Sequence, residues 1–133
     1  MNDELLLTIN VTCLEAITVE GAYRTVVMIP FTGEADGPYF TGKVIGPGVD
    51  TQKIDKGKAP CLSARYMLEG KDANGYACRV FIENQGNDEI GLTPKIVTDS
   101  PLLARWENED LYATAEGTPG GVIISIYSRI EIA

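Results

Sequence analysis

The sequence predicts an all-β protein that folds as a single antiparallel β-barrel of about eight to ten strands, with little or no helix. Two observations support this prediction. Stretches rich in β-branched and aromatic residues alternate apolar with polar positions, which is the pattern of strands. Glycine, proline and β-branched residues interrupt every window long enough for a helix of three turns. Since closure into a barrel removes the unpaired edges of a sheet, it would stabilise this chain as one domain, residues 1–133.

Residues 62–84 predict a β-hairpin. Its turn, Asp72-Ala73-Asn74-Gly75, has Asp first and Gly last, which is typical of a type I turn closed by a glycine bulge. The register that follows pairs Glu69 with Arg79, Met67 with Phe81 and Arg65 with Glu83 on one face, and Leu68 with Val80, Tyr66 with Ile82 and Ala64 with Asn84 on the other. The alternative is a two-residue turn at the Asn-Gly pair, which shifts the register by one residue and mixes the two faces.

The other predicted strands of the N-terminal half precede this hairpin. The first is a long strand over 4–18, and a second covers 23–31. A third covers 39–45 and is expected to end at Gly46-Pro47-Gly48, because glycine and proline are the strongest breaks in a strand pattern. The polar segment 49–60 is then a connection or an irregular strand.

The C-terminal half continues the β pattern. Residues 95–98 are expected to be extended, and Ser100-Pro101 begins a stretch that allows at most a short helical turn, over 100–106. Residues 110–116 form a further candidate strand. The last strand, 122–132, has the cleanest alternation of apolar and polar residues in the chain.

Composition limits the classes of partner. The formal net charge of −8 and the pI near 4.4 disfavour nucleic acid and anionic membranes, because clustered Lys and Arg drive binding to both. The chain has no run of about twenty apolar residues, and its acidic start does not resemble a basic signal sequence. We therefore expect a cytoplasmic protein.

The cysteine and histidine contents limit the chemistry. Cys13, Cys61 and Cys78 are odd in number and far apart, and each lies in or beside an apolar stretch, so we expect free and mostly buried thiols. The chain has no histidine, which removes His-containing triads and imidazole metal sites. The polar loop 84–89 lacks the acidic spacing of a calcium loop. Neither a metal nor a cofactor is expected.

Five short motifs resemble one known family. They are Gly37-Pro38-Tyr39-Phe40-Thr41-Gly42-Lys43-Val44, Pro47-Gly48-Val49-Asp50, Ala64-Arg65-Tyr66-Met67-Leu68, Pro94-Lys95-Ile96-Val97-Thr98 and Trp106-Glu107-Asn108. Their order along the chain resembles that of the uncharacterised bacterial family DUF3237. The resemblance implies an antiparallel barrel of roughly calycin type, often a dimer, with no established common activity.

Residue by residue, the resemblance carries over most of the family pattern. The matching positions are Asp50, Arg65, Tyr66, Asn84, Gly86, Trp106 and Asn108. Two positions depart from it: Thr51 stands where the family has Trp, and Ser63 stands where it usually has an acid. The resemblance assigns no catalytic role to any of them.

Arg65 and Glu83 are the first candidate site residues. An arginine held by a carboxylate inside a barrel mouth could grip an anionic or carbonyl-bearing ligand with its planar donor fork. Glu83 could also act as a general base, although a neighbouring arginine that holds its carboxylate would make it a poor one. The alternative is a structural ion pair on the outer wall or at a subunit interface.

Three more residues complete the predicted ligand site. Asp50 follows a glycine-rich turn that could present its carboxylate, although Asp is also ordinary in such a turn. Trp106, the only tryptophan, could stack on a ligand or close one end of the barrel. Asn84 falls on the apolar face of the hairpin, so it joins Arg65 in one site only if a bulge intervenes or the register differs.

These residues favour one function and leave two others open. The first is a soluble barrel that binds a small carbonyl- or carboxylate-bearing molecule in a cavity near Asp50, Arg65 and Glu83. The second is a cofactor-free isomerase, cyclase or lyase in the same cavity, with Asp50 or Glu83 as base and Arg65 stabilising an enolate. The third is a structural module that forms a homo-oligomer, with a dimer favoured.

Overall fold

Nine β-strands make up most of the computed structural model, which describes residues 3–87 and 89–129. They are β1 Glu4–Cys13, β2 Ile17–Glu20, β3 Arg24–Asp36, β4 Phe40–Asp55, β5 Cys61–Asp72, β6 Ala77–Asn87, β7 Gly91–Thr98, β8 Leu111–Thr118 and β9 Gly121–Ser128. A 3-10 helix, Ala104–Glu107, overlaps the stretch 100–106 in which a short helical turn was expected. In the part of the chain that is described, no helix has the length and apolar character needed to cross a membrane.

All strands pair antiparallel, and the sheet closes on itself. The hydrogen-bonded order is β1-β9-β8-β7-β6-β5-β4-β3-β2, and β1 also pairs with β3. The ring therefore contains eight strands, with β2 added beside it. The all-β antiparallel barrel predicted from the sequence is confirmed.

The N-terminal strand differs from the prediction. The expected strand over 4–18 is two strands, because pairing breaks at residues 14–16. Both strands lie along the same edge of β3: β1 pairs with Phe31–Asp36, and β2 pairs with Thr25–Met28. The apolar pattern of the sequence continues across residues 14–16, although the strand does not.

The central hairpin has the predicted register. All six predicted pairs, from Glu69–Arg79 to Ala64–Asn84, are formed between β5 and β6. The Asp72 N–H donates to the Tyr76 carbonyl at 3.0 Å, and Gly75 has φ +83°. Since that left-handed conformation favours glycine, the bulged turn is confirmed and the two-residue turn is wrong.

The predicted end of a strand at Gly46-Pro47-Gly48 is wrong. β4 continues through this point to Asp55, and its pairing with β5 shifts between Ile45 and Val49. Gly46 has φ +60°, so these residues form a β-bulge that bends the strand without ending it. The segment 49–55, expected to be a connection or an irregular strand, is consequently a strand of the barrel wall.

Smaller differences concern strand ends and thiols. β3 extends to Asp36, beyond the predicted 23–31, and residues 130–132 of the predicted last strand lie outside the described residues. The three cysteines are free, but only Cys78 is buried, whereas Cys13 and Cys61 are exposed. The expectation of mostly buried thiols is wrong, because both exposed cysteines lie at strand ends near the barrel rim.

One end of the barrel is filled by side chains. The 3-10 helix crosses this end between β7 and β8, and its Trp106 is 1% exposed. The Trp106 ring meets the Tyr39 ring edge-on, with centroids 6.4 Å apart. Arg105 anchors the helix to the barrel, because its Nη1 donates to Glu4 at 3.3 Å and to Glu109 at 2.8 Å. We call this the closed end.

A buried carboxylate fixes the closed end. Asp72 is 6% exposed, and its Oδ2 accepts a hydrogen bond of 2.9 Å from Ser100 Oγ. Its Oδ1 accepts from the backbone N–H groups of Asn74 and Tyr76. Burial raises the pKa of Asp72, but these hydrogen bonds outweigh burial and hold the pKa below its ordinary value of 3.8.

The Asp72 network predicts a pH-dependent stability. Because the pKa is lower in the folded state, the ionised carboxylate stabilises the fold above pH 3.8, and this contribution is lost as the pH falls through the folded-state pKa. We expect Ser100→Ala to lower the free energy of unfolding at neutral pH, with a smaller difference from wild type in acid. Urea denaturation across the pH range measures this. Asp36→Asn, at an exposed aspartate of β3, is the control. A Ser100→Ala difference that does not change with pH would contradict the assignment.

Candidate functional site

The interior of the barrel is hollow at the end opposite Trp106, which we call the open end. Every barrel strand contributes at least one side chain to a cavity of about 270 Å³. Its lining residues are Val11, Cys13, Ile29, Phe31, Asp50, Gln52, Leu62, Ala64, Tyr66, Asn84, Leu92, Ala115, Val122 and Ile124. Most of this lining is apolar, so the few polar groups determine what the cavity can recognise.

Two polar side chains of the cavity lie on one row across the sheet. Asp50 on β4 is opposite Ala64 on β5, and Ala64 is opposite Asn84 on β6. Side chains in register on neighbouring strands share a face, so all three reach into the barrel. Because Ala64 carries only a methyl group, it leaves space between the carboxylate and the amide.

One carboxylate oxygen of Asp50 has a hydrogen-bond partner and the other has none among the described residues. Gln52 Nε2 donates to Asp50 Oδ2 at 3.0 Å, across two positions of the same strand. Asp50 Oδ1 is buried and has no hydrogen-bond partner among the described residues. The same is true of Asn84 Oδ1 and of Tyr66 Oη. Leaving a buried polar group unpaired costs about 1–3 kcal/mol, and three such groups lie in this one cavity wall.

Tyr66 lies one row deeper. Its ring packs edge-on against Phe31, with centroids 5.2 Å apart. Burial raises the pKa of Tyr66 far above its ordinary value of 10. The hydroxyl therefore stays neutral, and it can donate one hydrogen bond and accept another.

Gly48 lets this aromatic pair approach the wall. A Cβ at Gly48 would lie 2.5 Å from Cζ of Phe31 and 2.7 Å from Cβ of Tyr66. Both distances are too short for carbon atoms, and neither ring can move far within the core. The glycine that sequence reasoning took as the end of a strand thus shapes the floor of the cavity.

The structure separates the five predicted site residues into three places. Asp50 and Asn84 line the cavity together. Trp106 lies at the closed end, where it acts as the plug that was the alternative to stacking. Arg65 and Glu83 are not among the lining residues.

Arg65 and Glu83 form an ion pair on the outer face of the hairpin. Arg65 Nε and Glu83 Oε2 are 2.7 Å apart, and their side chains are 66% and 25% exposed. The reason is the register itself, because Arg65 and Glu83 alternate with Tyr66 and Asn84, which face inward. The structure does not group Arg65 and Glu83 with Asp50 in one cavity, and it shows the alternative arrangement, an ion pair on the outer wall. Ligand binding by this outer pair stays a prediction.

Sequence reasoning missed Gln52 as a site residue and gave Tyr66 no role. Gln52 lies two positions after Asp50, the spacing that places both on one face of a strand. That spacing was not used because 49–60 was interpreted as a connection or an irregular strand, for which no face was assigned. Tyr66 was already predicted on the apolar face, and a tyrosine among aliphatic residues there could have indicated an interior hydroxyl.

Within residues 3–87 and 89–129, no group of three or more cysteine or acidic side chains is arranged to hold a metal ion.

Comparison with known proteins identifies the family. The family described as "Protein of unknown function (DUF3237)" matches residues 2–99. The chain belongs to this family, as its motifs indicated. No curated protein matches the chain.

Solved structures share the fold over nearly the whole chain. A protein of unknown function from Clostridium acetobutylicum is 26% identical with a TM-score of 0.82, covering 96% of this chain and 99% of its own. A β-barrel-like protein from Acinetobacter baumannii is 17% identical with a TM-score of 0.79, covering 96% and 94%. An enzyme from Penicillium herquei is 16% identical with a TM-score of 0.77, covering 96% and 92%. The dimer implied by the family resemblance stays a prediction.

Gly48→Ala tests the floor of the cavity. We expect the new methyl group to displace Phe31 and Tyr66 and to lower the free energy of unfolding by about 1–3 kcal/mol, as overpacking usually does. The matched control is Gly117→Ala on β8, where a Cβ meets nothing within 4 Å. Urea denaturation of both variants measures the difference. Equal stability of the two variants would show that the space beside Gly48 is larger than the structure indicates.

Proposed function

We propose that this protein binds one small, largely apolar molecule inside the open end of the barrel. The observation that carries the proposal is the set of three buried and unpaired polar groups in one cavity wall, on Asp50, Tyr66 and Asn84. Polar groups of this kind, placed in an otherwise apolar pocket, are what orients a ligand in most small-molecule sites.

The size of the cavity limits the ligand. Its volume of about 270 Å³ lies near the lower bound of ligand pockets, which is about 300 Å³. The walls are mostly aliphatic, and Cys13 at the end of β1 lies beside the opening. A single ring with one polar substituent fits this description better than a nucleotide or a sugar chain.

The cavity favours one of the two ligand groups expected from sequence. A carbonyl- or carboxylate-bearing ligand was expected because Arg65 was a candidate for the cavity, but Arg65 lies on the outer face and the described lining contains neither Lys nor Arg. A ligand carboxylate would instead face Asp50, which is repulsive. A ligand carbonyl is compatible with the site, because Tyr66 Oη can donate to it.

Filling the cavity should remove the ligand. We expect the wild-type protein to show an excess mass in native mass spectrometry that disappears on denaturation, and Ala64→Leu to lose it. The free energy of unfolding should change by less than about 1 kcal/mol, because overpacking is costly only where space is lacking. Ala77→Leu, at an exposed alanine of β6, is the matched control and should keep the excess mass. A wild-type protein without excess mass, or Ala64→Leu with the full load, would contradict the proposal.

Proton transfer is the second candidate function. It is favoured by the contacts of Asp50, because Gln52 fixes one carboxylate oxygen and leaves Oδ1 available to take a proton. Glu83, the other base considered, is paired with Arg65 on the outer face. The Penicillium herquei relative is described as an enzyme, but its identity of 16% supports a shared fold alone.

Exchange of α-protons tests Asp50 as a general base. Cyclohexanone in D₂O should lose its α-proton signals in ¹H NMR faster with the protein than in buffer. General-base catalysis contributes about 100- to 10,000-fold, and Asp50→Asn should remove it. Glu83→Gln should leave the rate unchanged. If the ketone exchanges as fast with Asp50→Asn as with wild type, Asp50 is not the base. Loss of exchange with Glu83→Gln would locate catalysis on the outer face.

A further inference from the structure

We infer that the polar group recognised in the cavity is a protonated amine, held between Asp50 and Asn84. This inference rests on the proposed function, and it names the chemical class of the ligand: a small organic cation with an apolar body.

The first step is the charge of the lining. Among the described residues that line the cavity, Asp50 is the only one with a formal charge. Within the same described part of the chain, its carboxylate receives one side-chain hydrogen bond, from Gln52, and Oδ1 is buried without a donor. Burial of a charge is unfavourable unless an opposite charge and hydrogen bonds accompany it. A ligand cation would supply both.

The second step is the kind of atom left unpaired. Asp50 Oδ1 and Asn84 Oδ1 are both acceptors, and the Tyr66 hydroxyl can also accept. The ligand group that complements several acceptors is one with several donors. An ammonium group has three N–H donors, whereas a hydroxyl has one.

The third step is the spacing of the acceptors. Asp50 and Asn84 are separated by Ala64, which puts their Cα atoms about 10 Å apart across two strand spacings. In a closed barrel the side chains of neighbouring strands converge toward the axis. The short Ala64 side chain leaves room between them for a group as small as an ammonium.

The fourth step is the field of the whole chain. The formal net charge is −8, and such an excess of negative charge attracts cations and repels anions before they reach a site. An apolar body then fits against Phe31, Val122 and Ile124, which line the same cavity.

The test compares four probes of one shape: benzylamine, benzyl alcohol, benzoate and toluene. Binding is followed by NMR through the side-chain amide signals of Gln52 and Asn84. We expect benzylamine to bind at least about tenfold more tightly than benzyl alcohol, and benzoate to bind least, because a hydrogen-bonded charge pair is stronger than a neutral one. Toluene reports whether the cavity is accessible to an apolar ring.

Two variants assign the contact. Asp50→Asn should lower the affinity for benzylamine about 10- to 100-fold and leave the affinity for toluene unchanged, because the substitution removes the charge but keeps the shape of the side chain. Asn84→Leu should lower the affinity for benzylamine less, since the ion pair with Asp50 remains. Asp36→Asn, outside the cavity, is the control for a general charge effect.

The outcomes separate the two proposals. If toluene binds while benzylamine is no better than benzyl alcohol, or if Asp50→Asn leaves benzylamine affinity unchanged, the ammonium inference is wrong and the binding function stands. If none of the four probes shifts the Gln52 and Asn84 signals, both proposals are wrong. If Asp36→Asn also lowers the affinity for benzylamine, the effect comes from the net charge of the whole chain, and the assignment to Asp50 is wrong.

Discussion

Alternation of inward and outward side chains around a closed ring of strands is the constraint on which the rest of this structure depends. Because β1 pairs with both β9 and β3, the ring has one interior, and each strand sends every second side chain into it. The 3-10 helix fills one end of that interior with Trp106. No other short helix plugs the opposite end within the residues described, and there the side chains leave the cavity beside Asp50. The position of the candidate site thus follows from where the barrel is plugged.

The same alternation sorts the charges. Pairs such as Arg65 with Glu83 and Glu69 with Arg79 lie on the outer surface, where solvent screening leaves each worth at most about 1 kcal/mol. The charged carboxylate of the cavity lining has no such solvent around its buried oxygen. Charge interactions therefore contribute little free energy on the outer wall and much more in the interior. This difference is why the chemistry of the cavity, and not the larger number of charges outside, carries the functional proposal.

Local chemistry made part of this structure predictable from sequence. The register of the hairpin followed from four turn residues, because a type I turn with a glycine bulge fixes which residues face each other. The bulge at Gly46 was not predictable in the same way, since glycine and proline in sequence are equally consistent with the end of a strand. Whether Arg65 faces the interior or the outer wall stayed open although its register was right, because the sequence of one hairpin does not show which of its faces the distant strands enclose. The hydrogen bond between Gln52 and Asp50 was not predicted, because no regular strand was predicted over the residues that carry both.

We propose that Asp50, Tyr66 and Asn84 line a space that holds a ligand, and that the side chains around this space do not collapse to fill it. A high-resolution crystal structure of the purified protein would distinguish these two arrangements. We expect electron density inside the open end of the barrel, within hydrogen-bond distance of Asp50 Oδ1 and Asn84 Oδ1. Side chains that collapse into this space and pair these oxygens with groups of the chain itself would contradict it.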